Sequence, residues 1–427
     1  MALNSYTIKK CLLVGTEGSS LGEGEEYDLL GGDPRIEYME SILSPAIGLT
    51  VNFFDSSSVV SRKGLTGGEY IQIEVDSGQS KVGTFEITAD HKMIVNGVMD
   101  VKVGPQGQEA TIQAIPEELM VNETAKISKK FSGNIGDIVK DILTDDVKGI
   151  QTKKTLEEEQ SANKYSFVGN FKKPIDIIQW LQPKAACEVE GGESYGFLFY
   201  ENLDGYYFKS IESLLKQEPE NKDKYTKTEM PVDDYRKILD ESGETNIDTV
   251  MNLKRGMYAN KTIYINLETQ IKTVDDFKVS DIGALDRLPK LPKGMEDKPT
   301  TLMFRIIDPG ALQKDSKKVE SEESAMEKQQ DLAKVQNKSY ARSSLIFSQN
   351  YDISVPFNPK LRAGHTIFLQ FPLPDDDLSK VDERRGLGDE STDDPSGKYL
   401  IEGLKHIIGD GDAHTQLSLI RDTFTVK

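Results

Sequence analysis

Several stretches of the 427-residue chain hold residue types whose spacing suggests chemistry. Gly18-Ser19-Ser20-Leu21-Gly22 fits the G-x-S-x-G pattern, which needs its serine on a sharp turn from a strand straight into a helix. An apolar run at residues 11–14 precedes it, but Gly22-Glu23-Gly24-Glu25-Glu26 follows, and glycines between acids do not start a helix. The expectation is a loop. His406, Asp410, Asp412 and His414 gather four zinc- or manganese-type ligands within nine residues. Gly409-Asp410-Gly411-Asp412 nevertheless reads as a hairpin turn, and strand alternation would aim the two histidines by register rather than by coordination geometry. Asp375-Asp376-Asp377 lacks the spaced ligands and rigid turn of a calcium loop, so it reads as a solvated acidic loop.

Glycoside hydrolysis needs two placed carboxylates, and 71 acidic residues leave the choice of a pair open. The glycine-rich start lacks the Gly-Lys-Ser/Thr of a phosphate loop. Asn-x-Ser/Thr matches at Asn122, Asn260 and Asn337 mean nothing without a secretion signal, and the run at 11–14 is too short to be one. No catalytic, metal or cofactor residue is assigned, and the expectation is a non-enzyme. A net charge of −19, from 52 basic and 71 acidic residues, argues against gripping nucleic acid, which takes clustered cations. Two cysteines, Cys11 and Cys187, cannot form a disulfide framework, so a reducing compartment is the default. No apolar stretch approaches the ~18 residues of a membrane span.

The elements that must position these residues alternate in period. Residues 1–34 read as a strand and a flexible, glycine-rich arm, and residues 35–118 as a β-rich domain. Within it, Leu49, Val51 and Phe53 share one strand face, and Ile71, Ile73 and Val75 another, with Gln72 and Glu74 opposite. Residues 119–250 look α+β. Ile135, Ile138, Val139, Ile142 and Leu143 fall at helical spacing, and a second helix starts at Pro174 and stops before Pro183. A hairpin with an Asp204-Gly205 turn follows, and Trp180 is expected to pack the helix on it. Residues 271–341 form an inserted domain ending in a polar helix with a thin stripe of Met326, Ala333 and Tyr340. That stripe suggests an exposed helix or one packed on a partner.

An internal repeat ties the ends together. Leu65-Thr66-Gly67-Gly68-Glu69-Tyr70-Ile71-Gln72-Ile73-Glu74-Val75 lies over Leu361-Arg362-Ala363-Gly364-His365-Thr366-Ile367-Phe368-Leu369-Gln370-Phe371. Each is a glycine-bearing turn, with Gly68 or Gly364, that launches an alternating strand. Phe85-Glu86-Ile87 before His91 parallels Tyr399-Leu400-Ile401 before His406, and residues 111–114 parallel 415–419. The predicted class is mixed and β-rich, with two similar small antiparallel β-barrels in one chain and α+β domains between them. The second barrel takes residues 251–270 and 342–427. Three such chains would present six similar barrels, a pseudo-sixfold ring from a threefold assembly. The strands proposed to form that ring are residues 71–75 (Ile71, Gln72, Ile73, Glu74, Val75) and 367–371 (Ile367, Phe368, Leu369, Gln370, Phe371).

The run 361–371, residues 397–406 and the closing strand 415–420 resemble the last barrel of the baseplate central hub protein of contractile-tailed phages. Residues 49–75, with Val51-Asn52-Phe53-Phe54-Asp55-Ser56, resemble the hub's first barrel, and residues 170–181 with the following hairpin its intervening domain. The same segments are similar to the spike proteins of type VI secretion. The resemblance covers most of the chain, leaves 209–250 and 375–396 unmatched, and rests on fold signatures. It implies a homotrimer whose barrels form a torus adapting the hexameric tail tube to a trimeric spike. Its partners would be the tail-tube protein, the trimeric tail spike protein and baseplate wedge proteins, in a virion tail baseplate assembled in the host cytoplasm. Alternatives are a spike-complex component of a related contractile injection system, or a β-rich virion-associated hydrolase. The loop at 375–396, with seven Asp and two Glu against one Lys and two Arg, is expected to line the channel or meet a partner, Asp375, Asp376 and Asp377 included. An acidic lumen would let DNA pass by repelling its phosphates.

Overall fold

The computed structural model describes residues 5–422 except 66, 79–80, 146–148, 190–191, 220–223, 228–234, 246–248, 268–269, 271, 283–293, 296–297, 307–311, 314–321 and 372–395. Period-two alternation builds the first lobe from β1 (Thr7–Val14), β2 (Arg35–Ser41), β3 (Gly48–Asp55), β4 (Tyr70–Asp76), β5 (Thr84–Ile87), β6 (Met93–Gly104) and β7 (Gly107–Pro116). Its strand pairs are antiparallel. Leu49, Val51, Phe53, Ile71, Ile73 and Val75 all face the core, as the alternation predicts. Gln72 and Glu74 sit on the other face and meet Lys10 and Lys9 of β1.

The middle region turns helical where the apolar period changes. α1 (Glu117–Thr124) leaves the first lobe directly from β7, and α2 (Ile135–Thr144) buries its five predicted apolar residues. Asn134 caps α2 by accepting the Gly136 N–H at 3.1 Å. α3 (Pro174–Leu181) begins on its proline, whose missing N–H costs nothing in a first turn. The hairpin of β8 (Phe197–Asn202) and β9 (Gly205–Ser210) turns on Leu203-Asp204, one residue earlier than expected. Trp180 packs against the hydrophobic cluster that includes Phe197, Phe199, Tyr206 and Phe208 of that hairpin. Its ring lies against Tyr165 and Phe167, at 5.6 and 5.1 Å, while Ile178 and Leu181 of the same helix are fully buried.

The second lobe opens with β10 (Tyr225–Thr226) and β11 (Asp240–Thr245) rather than with residues 251–267. The strand in that range, β12 (Ala259–Ile265), pairs instead with β13 (Lys272–Lys278) and β14 (Thr301–Ile306) in a separate sheet. The polar helix α4 (Glu322–Leu345) covers one face of that sheet within the chain. Its buried side mixes Leu332, Ala333, Ala341 and Leu345 with Asn337, Ser339 and Arg342, which is why its apolar stripe looked thin. Asn337 bonds Thr262 and Asp275, and the Ala333 carbonyl accepts from the Tyr264 hydroxyl. The lobe is completed by β15 (Gln349–Pro356), β16 (Thr366–Gln370), β17 (Gly397–Gly409) and β18 (Asp412–Arg421).

Both lobes belong to one sheet, in the order β11-β15-β18-β17-β2-β3-β7-β6-β4-β1. Its first eight strands are one four-strand unit laid twice, head to tail. A single hydrophobic core cluster runs through both lobes.

Candidate functional site

The repeat read from sequence reappears as hydrogen bonds. Gly68 N–H donates to the Val95 carbonyl at 3.4 Å, and Val95 N–H to the Glu69 carbonyl at 2.7 Å. In the second lobe Gly364 donates to Ile401 and Ile401 to His365, each at 2.9 Å. Both glycines hold φ near +90° (93° and 88°), a conformation side chains disfavour. A bulge follows at matching places. The register against β7 slips between Val95 and Gly97, and that against β18 between Ile401 and Gly403.

Residues 71–75 and 367–371 mark the launching strands, but their edges are already used inside the chain. β4 carries β1 on one side and β5 and β6 on the other. β16 carries β17 on one side and β10, at Leu369 and Gln370, on the other. Phe371 is buried, and Phe368 lies under the Lys224 ammonium at 4.9 Å. The edge-to-edge joint within the chain is made elsewhere, by β17 and β2, from Gly403 opposite Ser41 to Ile408 opposite Ile36. Asp375, Asp376 and Asp377 lie outside the described residues.

This seam is fastened on both faces. Outside, Lys405 reaches Glu37 at 2.6 Å, Arg35 reaches Asp410 at 2.9 Å, and Ser41 donates to Glu402 at 2.8 Å. Burial alone would raise the Glu37 carboxyl, but Lys405 and Arg35 hold it below the ordinary range. Inside, His406 sits fully buried among Tyr38, Phe85 and Phe357, with ring centroids 5.2–5.9 Å away. Burial, then the Arg362 charge, pushes its pKa down to about 3, so the ring is neutral; Nδ1 pairs with Thr415 Oγ1 at 2.9 Å.

A buried carboxylate ties the middle region to both lobes. Glu40 of β2 accepts from the Tyr38 hydroxyl and from the backbone N–H groups of Leu203 and Ala363, at 2.7–2.8 Å. Burial raises its pKa against the opposing pull of Arg362. Next to it, Lys154 bridges Glu201 and Glu118 at 2.5 and 2.9 Å, while Glu201 also accepts the Ile47 N–H. Burial lifts Glu201 to about 7 even against Lys154.

Over the outer face of the seam runs a groove of about 810 Å³, lined by residues that include Met39, Asp352, Ser354, Glu402, Lys405 and Gln416. Burial raises the Glu402 carboxyl, and Asp352 adds to the rise.

The chemical candidates are dispersed. Ser20 donates to Glu69 at 3.1 Å in a turn that leads to a short strand, Glu26–Asp28, and not to a helix. His406 points into the core, whereas half-buried His414 bonds Asp412 at 2.8 Å, and Asp410-Gly411, both at positive φ, turn the β17–β18 hairpin. Among the described residues no three His, Cys, Asp or Glu side chains group as metal ligands, and no helix is long and apolar enough to cross a membrane. Sequence reasoning missed the β17–β2 seam and Glu40. The signal available was Glu40 at an inward position of an alternating strand.

No family model and no curated protein sequence matches the chain. Solved structures do. A tail protein from Neisseria meningitidis MC58 aligns over 98% of this chain and 97% of its own, with TM-score 0.54 and 12% identity. The 43 kDa tail protein of prophage MuSo2 from Shewanella oneidensis aligns over 99% and 100%, with TM-score 0.50 and 10% identity. A type VI secretion system component of E. coli aligns over 98% and 76%, with TM-score 0.44 and 10% identity. The chain is similar in fold to phage tail proteins along its whole length.

Proposed function

We propose that this chain is a structural, non-enzymatic hub of a phage tail baseplate. Three copies form a pseudo-sixfold ring that adapts a hexameric tail tube to a trimeric spike and leaves an axial channel for DNA. The observation that carries this reading is the four-strand unit repeated head to tail within one chain, joined through β17 and β2. One chain thus supplies two equivalent sectors, and a threefold assembly of such chains presents six. The similarity in fold to tail proteins supports the same reading.

The tail-tube protein would stack on the six-sector face, the spike on the threefold face, and wedge proteins around the rim. The outer face of the seam, with Glu37, Asp352, Glu402 and Gln416, would line the channel. It carries Lys405 already engaged by Glu37, so it offers phosphates little to hold. Native mass measurement with negative-stain imaging tests the proposal. A trimer with a central hole and six lobes is expected. A monomer at high concentration, with and without the spike protein, overturns it.

A further inference from the structure

A sheet with one face packed and one face wet gathers its apolar side chains on the packed face. The sheet of β13, β12 and β14 does the reverse. Asn337 of α4 bonds Thr262 and Asp275, and the Ala333 carbonyl accepts the Tyr264 hydroxyl, so α4 fills the face that these residues share. By register, that covered face mixes Thr262, Thr273 and Asp275 with Tyr264, Met303 and Phe277. The opposite face is the more apolar one. Ile263 lies between Val274 and Phe304, Ile265 lies beside Ile306, and Leu302 stands one row away. Val274, Leu302, Phe304 and Ile306 are 46%, 54%, 65% and 73% exposed.

Single exposed apolar residues are ordinary on a protein surface, whereas adjoining rows of them on one sheet form a contiguous patch of the kind that marks an interface. Charge divides this patch into two rims. On the same face β13 carries Lys272, Asp276 and Lys278, and β12 carries Lys261. Lys261 takes up Asp276 at 3.1 Å. The β13 rim is therefore positive, in a chain whose net charge is −19. The β14 rim, with Leu302, Phe304 and Ile306, carries no charge on that face.

We infer that this face docks an amphipathic helix of another protein. The apolar stripe of that helix lies on Ile263, Phe304 and Ile306, and carboxylates beside the stripe meet Lys272 and Lys278. A helix is the element that fits, because three strands ~4.8 Å apart present a strip about one helix wide. α4 already occupies the back of the same strip, and a second helix on the front completes a helix–sheet–helix layering. The acidic character of the occupant follows from the lysines of the β13 rim. A second copy docked face to face would bring lysines to lysines, so the occupant is a different chain. The inference stands on this sheet alone, and its failure leaves the proposed ring untouched.

The test titrates full-length chain into two labelled helical peptides that share one leucine stripe, flanked by glutamates in one and by lysines in the other. Fluorescence anisotropy reads the binding. The glutamate peptide should bind about tenfold or more tightly than its lysine twin. Phe304→Ser with Ile306→Ser should weaken it about tenfold or more, at an unchanged unfolding midpoint, because both side chains are exposed. Lys272→Glu with Lys278→Glu keeps the apolar patch and should reverse the preference between the peptides. No binding of the glutamate peptide, equal binding of both, or an unmoved preference in the lysine variant overturns the inference. So does binding to phosphatidylglycerol vesicles in place of the peptide, lost with the two serines, because the occupant is then a lipid surface. A native mass lowered by the same two serines overturns it as well, by putting a second copy on the face.

Discussion

Three residues past each equivalent glycine, the two units part company. In the second, His406 is sealed in an aromatic cluster, and β17 stays buried to its end at Gly409. In the first, Asp100 stands exposed at φ 52°, and β6 runs on in solvent to Gly104. The hydrogen-bond pattern up to that point is the same; from there β6 bulges between Met99 and Lys102, and β17 does not. The neighbours differ as well: β17 is covered by β2, with Tyr38 stacked on His406 at 5.9 Å, and no described strand covers β6 there. Burial at these positions belongs to the contact as well as to the strand. The launching glycines diverge too, since Gly364 faces the Tyr200 ring of the middle region and Gly68 faces the Thr16 hydroxyl at a wider distance.

The glycines give the largest expected effect. A Cβ on Gly364 would lie 2.1 Å from the Tyr200 hydroxyl oxygen, whereas one on Gly68 meets nothing nearer than Thr16 Oγ1 at 3.7 Å. Gly364→Ala should cost about 4 kcal/mol, adding overpacking to backbone strain. Gly68→Ala should cost about 1–2 kcal/mol from strain alone. Urea unfolding of both variants measures the gap, and equal costs would mean that the two turns have the same surroundings.

A smaller effect separates the units by pH. The pKa of His406, about 3 in the folded chain, lies below the ~6.5 of a free imidazole. As pH falls below ~6.5 the unfolded chain takes up this proton first, so stability drops by up to ~1.4 kcal/mol per pH unit until about pH 3. Above that window the residue contributes no slope. His406→Leu should flatten the fall of the urea midpoint between pH 6.5 and 4.5, while Asp100→Asn in the first unit leaves the His-linked part intact. An unchanged slope in His406→Leu would place the acid sensitivity elsewhere. The smallest effect belongs to Val103→Ser, which should shift the stability of the isolated chain by no more than about 0.5 kcal/mol, because the side chain is exposed. A larger loss, read by the same unfolding curves, would show that β6 is already packed.

Much of this was legible in the sequence where burial imposes a period. The faces of β3 and β4, the stripe of α2, the proline start of α3 and the glycine turns of the repeat are all written in side-chain spacing. The opening strand of the second lobe was not. β11 reads Asp240-Glu241-Ser242-Gly243-Glu244-Thr245, with no apolar alternation, and is held by its ladder with β15. The range chosen instead, around Ile263 and Ile265, alternates well, but into a different sheet. α4 was legible as a polar helix but its docking face was not, since Asn337, Ser339 and Arg342 are buried there beside Leu332, Ala333, Ala341 and Leu345. The seam depends on two strands far apart in the chain, and no local pattern records which edge meets which.

That separation has a consequence in time. Ser41 and Glu402, bonded across the seam, stand 361 positions apart. At ~5–20 residues per second, synthesis would leave the edge of β2 without its partner for roughly 20–70 s after it emerges. Through that interval the nascent first lobe holds an unmet strand edge, and chaperone occupancy or the pace of translation governs how safely it waits for its own C-terminal strand.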